Sequence, residues 1–177
     1  LGRLVPYKGF DNLILAARHL PDDVLTVIAG AGPLENRLKS LIAASGLQHK
    51  VKMLGRISDS ERNAWMGVAS VFCLPSVEKT EAYGIVLIEA MSTGLPVVTT
   101  KIPGSGTSWV NAHGVSGLNV SCNNPEELAE ALAEVIRVEK ENGSYGCNAR
   151  DRWAKLFTIE TSIDNVSYIY RELLEQR

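Results

Sequence analysis

Short apolar runs rich in Val, Ile and Leu alternate along this chain with longer segments whose apolar residues recur every three or four positions. Leu1–Val5, Val24–Ala29, Val51–Leu54, Val71–Leu74, Val97–Thr100 and Leu118–Val120 read as strands, each a β-prone run too short for a helix. Between the first two, Phe10, Leu13, Ile14, Ala17 and Leu20 fall at helical spacing, and Leu34, Leu38, Leu41 and Ile42 do the same in the next gap. Ser58-Asp59-Ser60-Glu61 carries capping chemistry for a third helix reaching about Val68. Gly84–Thr93 predicts a fourth helix. Pro125–Lys140 predicts a fifth, with Asn124 as its N-cap and Pro125 at the first helical position.

Strand–helix alternation with short connections predicts an α/β fold, a Rossmann-like doubly wound parallel sheet with helices on both faces, over about residues 1–140. The remainder, 141–177, departs from this rhythm. Ser144–Lys155 and Ile159–Glu175 are helical with no strand between them, extra C-terminal helices on a single domain. In the last helix Ile159, Ile163, Val166, Ile169 or Tyr170, and Leu173 form an apolar stripe that needs a surface, on this domain or on another.

The totals narrow the function classes. A chain of 177 residues, 45% apolar and 21% charged, is a globular domain with a substantial core. Its net charge of −2 offers no basic excess for nucleic acid, and no apolar run is long enough to cross a bilayer. Cys73, Cys122 and Cys147 are widely spaced and odd in number, which argues against a disulfide framework or a zinc site and for a reducing compartment. The opening Leu1-Gly2-Arg3-Leu4-Val5 reads as the end of a strand, so the chain is expected to be a piece of a longer protein.

In sheets of this kind ligands sit at the carboxyl ends of the strands, and every candidate residue follows a strand. Arg3 ends the first, and Lys8 stands just before the first helix; they read either as solvated surface charges or as ligands for an anion at that helix end. Gly30-Ala31-Gly32-Pro33 serves either a tight turn or a ligand approaching the backbone, with Pro33 expected at the first helical position. In Gly55-Arg56-Ile57, Arg56 is an exposed loop residue or a contact to a base or phosphate. The polar loop Pro75–Gly84 then runs into an apolar helix whose free N–H groups at Gly84, Ile85 and Val86 form an anion site. Glu81 and Glu89 flank it. Glu89 sits among Ile85, Val86, Leu87, Ile88, Ala90 and Met91, where a buried carboxylate would demand a partner. Carboxylates beside a phosphate site make sense as acceptors for hydroxyl groups. His113 has no partner at recognisable spacing and reads as structural, and Asp59-x-Glu61 reads as helix capping and not as a metal site.

Glu81-x7-Glu89, followed by Ala90-Met91-x-x-Gly94-x-Pro96-Val97-Val98, resembles the signature of retaining family-four glycosyltransferases of the GT-B fold. Gly2-Arg3-Leu4, Lys8-Gly9, Gly30-x-Gly32-Pro33, Gly55-Arg56-Ile57, Leu74-Pro75-Ser76 and Gly114-Val115-x-Gly117-Leu118 match the same family in order, so the resemblance covers about residues 1–140. It implies the C-terminal, donor-nucleotide half of a two-domain enzyme whose N-terminal acceptor domain is absent. Arg3 and Lys8 would then hold the diphosphate, Glu89 would accept from the ribose, and Glu81 would bind hydroxyls of the transferred sugar, with Arg3, Lys8 and Glu81 as the catalytic set. Gly2, Gly30, Gly32, Ala82, Tyr83, Gly84, Ile85 and Val86 would line the donor, and Arg56 and Ile57 would border its base. The donor implied is a UDP- or GDP-sugar, with no metal or other cofactor, and the acceptor a saccharide or lipid-linked oligosaccharide met through the absent domain.

The version carried here resembles bacterial surface-polysaccharide and O-antigen enzymes, which implies a cytoplasmic protein at the inner face of the membrane. It departs from the usual pattern at Glu81-Ala82-Tyr83-Gly84, where Ala82 replaces a customary glycine, and at Trp109, near a customary glutamate. Two other readings are a non-catalytic nucleotide- or phosphate-binding module and a GT-B epimerase or phosphorylase. No lysine has a context suited to the pyridoxal cofactor that a glycogen-type phosphorylase needs.

Overall fold

Val97 and Val98 are adjacent and both fully buried, yet each belongs to a different apolar cluster. Successive side chains of a strand point to opposite faces, so the two clusters are the two sides of one sheet. The run Val-Val-Thr-Thr, buried at all four positions, is what a parallel strand covered on both faces should look like. The computed structural model describes residues 1–175 and places five strands: β1 (Thr26–Ala29), β2 (Val51–Gly55), β3 (Phe72–Leu74), β4 (Val97–Thr100) and β5 (Gly117–Val120). All pairings are parallel, in two sheets of order β1-β2 and β3-β4-β5.

Helices α1 (Phe10–Ala16), α2 (Glu35–Ala44) and α6 (Pro125–Asn142) cover one face through Phe10, Ile14, Leu38, Leu132 and Val135. On the other, α3 (Asp59–Val68), α4 (Ile85–Ser92) and α7 (Ser144–Leu156) contribute Met66, Leu87, Met91 and Ala149. The short α5 (Thr107–Val110), which the apolar pattern does not predict, precedes β5. The capping signals act as expected. The Ser58 hydroxyl accepts from the Glu61 N–H at 3.2 Å while the Glu61 carboxylate accepts from the Ser58 N–H at 2.8 Å, which holds the Glu61 carboxyl below its ordinary range. Asn124 caps α6 through the Glu127 N–H, and the His113 ring accepts from the Asn119 N–H, a structural use.

Three expectations are corrected. Leu1–Val5 is not a strand. Gly2 and Leu4 donate to the Ala29 and Ala31 carbonyls, but Gly2 is at φ +147° and Val5 turns back to donate to the Arg3 carbonyl, so no reciprocated ladder forms. The β-structure is consequently two sheets beside one extended segment, where one continuous sheet was expected. Pro33 is not in the helix; Leu34 is the N-cap of α2, and Pro33 lies in the turn before it.

Helix α8 (Ile159–Glu175) follows α7, and Ile159, Ile163, Val166, Ile169 and Leu173 stay exposed, so its stripe is not spent on this domain. No helix among the described residues is long and apolar enough to cross a membrane.

Burial pushes the Cys73 thiol up to about 12, whereas Cys147 is exposed. A disulfide-exchange reagent at pH 8 should therefore label Cys147 first and Cys73 more than about a hundredfold more slowly, since only thiolate reacts. Comparable rates in the native protein, read by mass spectrometry, would show that the half-buried Cys73 thiol is not desolvated.

Candidate functional site

Lys8 and Glu81 are 73 positions apart, and their side chains meet at 2.5 Å. Several local features bring them together. Pro6–Lys8 forms one tight helical turn ended by Gly9, whose φ of +63° is accessible to glycine without strain. A side chain at Gly9 would place its Cβ 2.1 Å from the Pro75 carbonyl oxygen, so the missing side chain lets this turn press against the loop leaving β3. The Val77 N–H donates to the Tyr7 carbonyl at 2.8 Å and ties the two together. Lys8 then lies across Gly2, its Cε 3.6 Å from where a Cβ would stand.

Glu81 is held from three directions. Its Oε2 accepts from the Lys8 ammonium and, at 2.8 Å, from the hydroxyl of fully buried Ser76. Its carbonyl accepts from the Ser105 hydroxyl at 2.6 Å, and the next carbonyl, of Ala82, accepts from the Gly106 N–H. Ser76 is itself held, its carbonyl accepting from the Thr100 hydroxyl at the end of β4. The residue is only 8% exposed, yet among the described residues Oε1 takes no hydrogen-bond partner and is not a fully enclosed atom. One carboxylate oxygen is thus anchored, and the other keeps some solvent access as an acceptor.

The remaining predicted residues are placed as follows. Gly2 and Gly30 touch backbone to backbone, and Gly32 lies against Leu4. Arg3 is exposed on the same limb, with no ion pair among the described residues. Gly84 caps α4; Ile85 and Val86 open its first turn, and Ala82 and Tyr83 form the exposed loop before it. Ala82 does not adopt a positive φ, so the alanine fits this loop without the strain its sequence position suggested. Tyr83 packs its ring 6.0 Å from that of Trp109, which brings the departing Trp109 to the edge of the Glu81 loop.

Glu89 corrects an expectation. It is not buried: its side chain is 39% exposed, on the face of α4 that also carries Ile85 and Val86, and its carboxylate lies 3.9 Å from the Arg62 guanidinium of α3. Apolar neighbours in sequence mislead here, because Leu87, Ala90 and Met91 take the core side of α4 and leave Glu89 the outer one. Arg56 is exposed and Ile57 half-buried beyond β2. Lys8 and Glu81 are therefore in contact, Glu89 is paired with α3, and Arg3 reaches into solvent.

Sequence reading assigned no role to Ser76, Ser105 or Arg62. Two of them had a signal: Ser76 follows the buried strand Phe72–Leu74, and Ser105 precedes a short helix in a Gly-Ser-Gly turn. Arg62 had none, since its link to Glu89 is set by the packing of α3 beside α4.

The parallel α/β arrangement of this chain is the one found in GT-B glycosyltransferases. Residues 1–152 match the family Glycosyl transferases group 1, and the chain belongs to that family. It is 36% identical over 152 residues to the D-rhamnosyltransferase WbpZ of Pseudomonas aeruginosa, covering 86% of this chain and 39% of the relative. It is 33% identical over 173 residues to the O-antigen chain mannosyltransferase C of Escherichia coli, covering 97% of this chain and 45% of the relative. The structure of Anabaena HepE in complex with UDP superposes with a TM-score of 0.85 at 26% identity, over 97% of this chain and 48% of that one. The chain thus spans less than half the length of these relatives.

Proposed function

We propose that this chain is the donor-binding half of a retaining glycosyltransferase that uses a nucleoside-diphosphate sugar. The observation that carries the reading is Glu81: a nearly buried carboxylate with one oxygen fixed by Lys8 and Ser76 and the other open to accept a hydroxyl. The complexes of HepE with UDP and with UDP-glucose support the ligand class.

In this reading the diphosphate lies between the Lys8 ammonium and the free N–H groups of Ile85 and Val86, with exposed Arg3 closing on it from solvent. No metal ion takes part, since two cations and a helix terminus meet the charge of the leaving group. Glu81 orients the transferred sugar and Glu89 the ribose, with Arg56 and Ile57 bordering the base. The bond from the sugar's anomeric carbon to the phosphate oxygen breaks while a bond to the acceptor oxygen forms on the same face. The acceptor's proton passes to the departing phosphate. The acceptor is a saccharide or lipid-linked oligosaccharide, in line with the O-antigen name of the Escherichia coli relative, and enters through a domain outside this chain. The full-length protein works in the cytoplasm at the inner face of the membrane.

Calorimetry with UDP, GDP, their glucose and mannose conjugates and inorganic pyrophosphate tests the reading. Glu89→Ala is expected to weaken the nucleotides by about tenfold or more, the worth of a hydrogen bond to a charged group, while leaving pyrophosphate unchanged. Equal loss for pyrophosphate would contradict the ribose assignment, and no binding by any nucleotide would overturn the function.

A further inference from the structure

Trp109, 54% exposed, and Tyr83, 40% exposed, pack against each other at the edge of the Glu81 loop. They belong to the two stretches at which this chain departs from its family's usual pattern, so both departures form one feature in space. Half-buried Phe157 completes the group, its ring 5.5 Å from that of Trp109 at 87° and 6.4 Å from that of Tyr83 at 84°. Edge-to-face contacts of this kind fix the rings' orientation. Arg152 of α7 holds the indole further. Its Nε donates to the Val110 carbonyl at 2.9 Å and its Nη2 to the Trp109 carbonyl at 2.6 Å, with the guanidinium 5.5 Å from the indole centroid. Tyr83 is seated on Gly106, where a Cβ would stand 3.1 Å from its Cδ2, and the Gly106 N–H donates to the Ala82 carbonyl at 2.8 Å. The corner is rigid, yet its rings stay open to solvent.

Exposed aromatic groups held this firmly mark a contact site, and the polar atoms among them say for what. Among the described residues, the Trp109 indole N–H, the Tyr83 hydroxyl and Nη1 of Arg152 have no protein partner. Glu81 stands two residues from Tyr83, no more than about 7 Å along the backbone, and adds an accepting oxygen. A pyranose ring matches this set. Its C–H face is apolar and lies flat on an aromatic ring, while the hydroxyls around its rim take donors and acceptors. A purely apolar segment laid over the rings would bury those three donors unpaired. We infer that the corner formed by Tyr83, Trp109 and Phe157 is a stacking site for a sugar ring of the acceptor saccharide, with Trp109 as its platform. The inference rests on the reading above in that Glu81 holds the transferred sugar, which makes a second sugar beside it the acceptor. Rings fixed before binding lose little freedom on contact, so a weakly held saccharide is still oriented.

The test follows the indole N–H signals of the three tryptophans by NMR as mannobiose or mannitol is added to the 177-residue chain without nucleotide. Mannobiose should shift the Trp109 signal and leave those of Trp65 and Trp153 in place. Mannitol, which has hydroxyls but no ring face, should shift none. Trp109→Phe should bind mannobiose within about threefold of wild type. Trp109→Leu keeps apolar bulk for packing but no aromatic face, and should lose at least about fivefold. A Trp109 signal that mannobiose leaves unmoved would overturn the inference, as would equal affinity in the leucine variant. A Trp109 signal that moves with protein concentration alone would also overturn it, since a second copy would then cover the rings. UDP added last should leave bound mannobiose in place, and displacement would put the corner inside the donor site instead. Saccharide binding is read before any nucleotide is present, so its failure is distinct from failure of UDP to bind, which would count against the donor reading.

Discussion

Lys8→Ala is expected to destabilise the fold by about 3–5 kcal/mol, the cost of leaving one member of a buried ion pair without its partner. Glu81 is 8% exposed, and after the substitution only the Ser76 hydroxyl would remain on Oε2. At this chain length the melting temperature should fall by roughly 6–20 °C. The same change removes the one ammonium at the site, so UDP, GDP and pyrophosphate should all lose affinity together. Stability and binding can be separated. The double variant Lys8→Met with Glu81→Gln replaces both charges by neutral groups of similar shape, and the new side-chain amide oxygen can still accept from Ser76. It should recover most of the lost stability but none of the affinity for diphosphates. Recovery of both would show that Lys8 acts only as a counter-ion to Glu81. A single variant as stable as wild type would show that the pair is more hydrated than its burial indicates.

The parts of this structure that depend on short-range chemistry were legible beforehand. Capping by Ser58 and Asn124, the Val-Val-Thr-Thr strand and the helical faces of α1 and α6 all follow from a few neighbouring residues. Glu89 was misread because neighbours in sequence surround a helical residue only in part. With Leu87, Ala90 and Met91 turned to the core, an outward face remains, and the acid occupies it beside Ile85 and Val86. Leu1–Val5 was misread for a different reason. Its composition suits a strand, but strand identity lies in reciprocated bonds, and these five residues find them on neither side. The Lys8–Glu81 contact was legible only as a shared location: Glu81 follows β3, and Lys8 follows an extended segment whose composition reads as a strand. That they would bond to each other depends on how closely the Pro6–Gly9 turn approaches Pro75, a distance no local pattern encodes.

Gly30→Ala should test how far the site depends on such close approach. A Cβ on Gly30 would stand 1.8 Å from the Gly2 carbonyl oxygen, and the obstacle is backbone, not a side chain that could swing away. Gly30 cannot retreat either, because its N–H donates to the Gly55 carbonyl at 2.7 Å. Its φ of +147° adds conformational strain for any L side chain. Destabilisation on the order of 3 kcal/mol or more is expected, in the range of changes that break a specific structural requirement. The limb from Gly2 to Lys8 must move to admit the methyl, so the ammonium is drawn off Glu81 and diphosphate affinity falls with stability. Gly46→Ala supplies the control. Gly46 also has a positive φ, +67°, but nothing lies within 4 Å of its would-be Cβ, so it should lose only about 1–2 kcal/mol of left-handed strain and leave binding intact. Urea unfolding of the two variants decides the matter. Equal losses would mean that strain alone governs both positions, and that the contact of Gly2 with Gly30 does not hold the lysine in place.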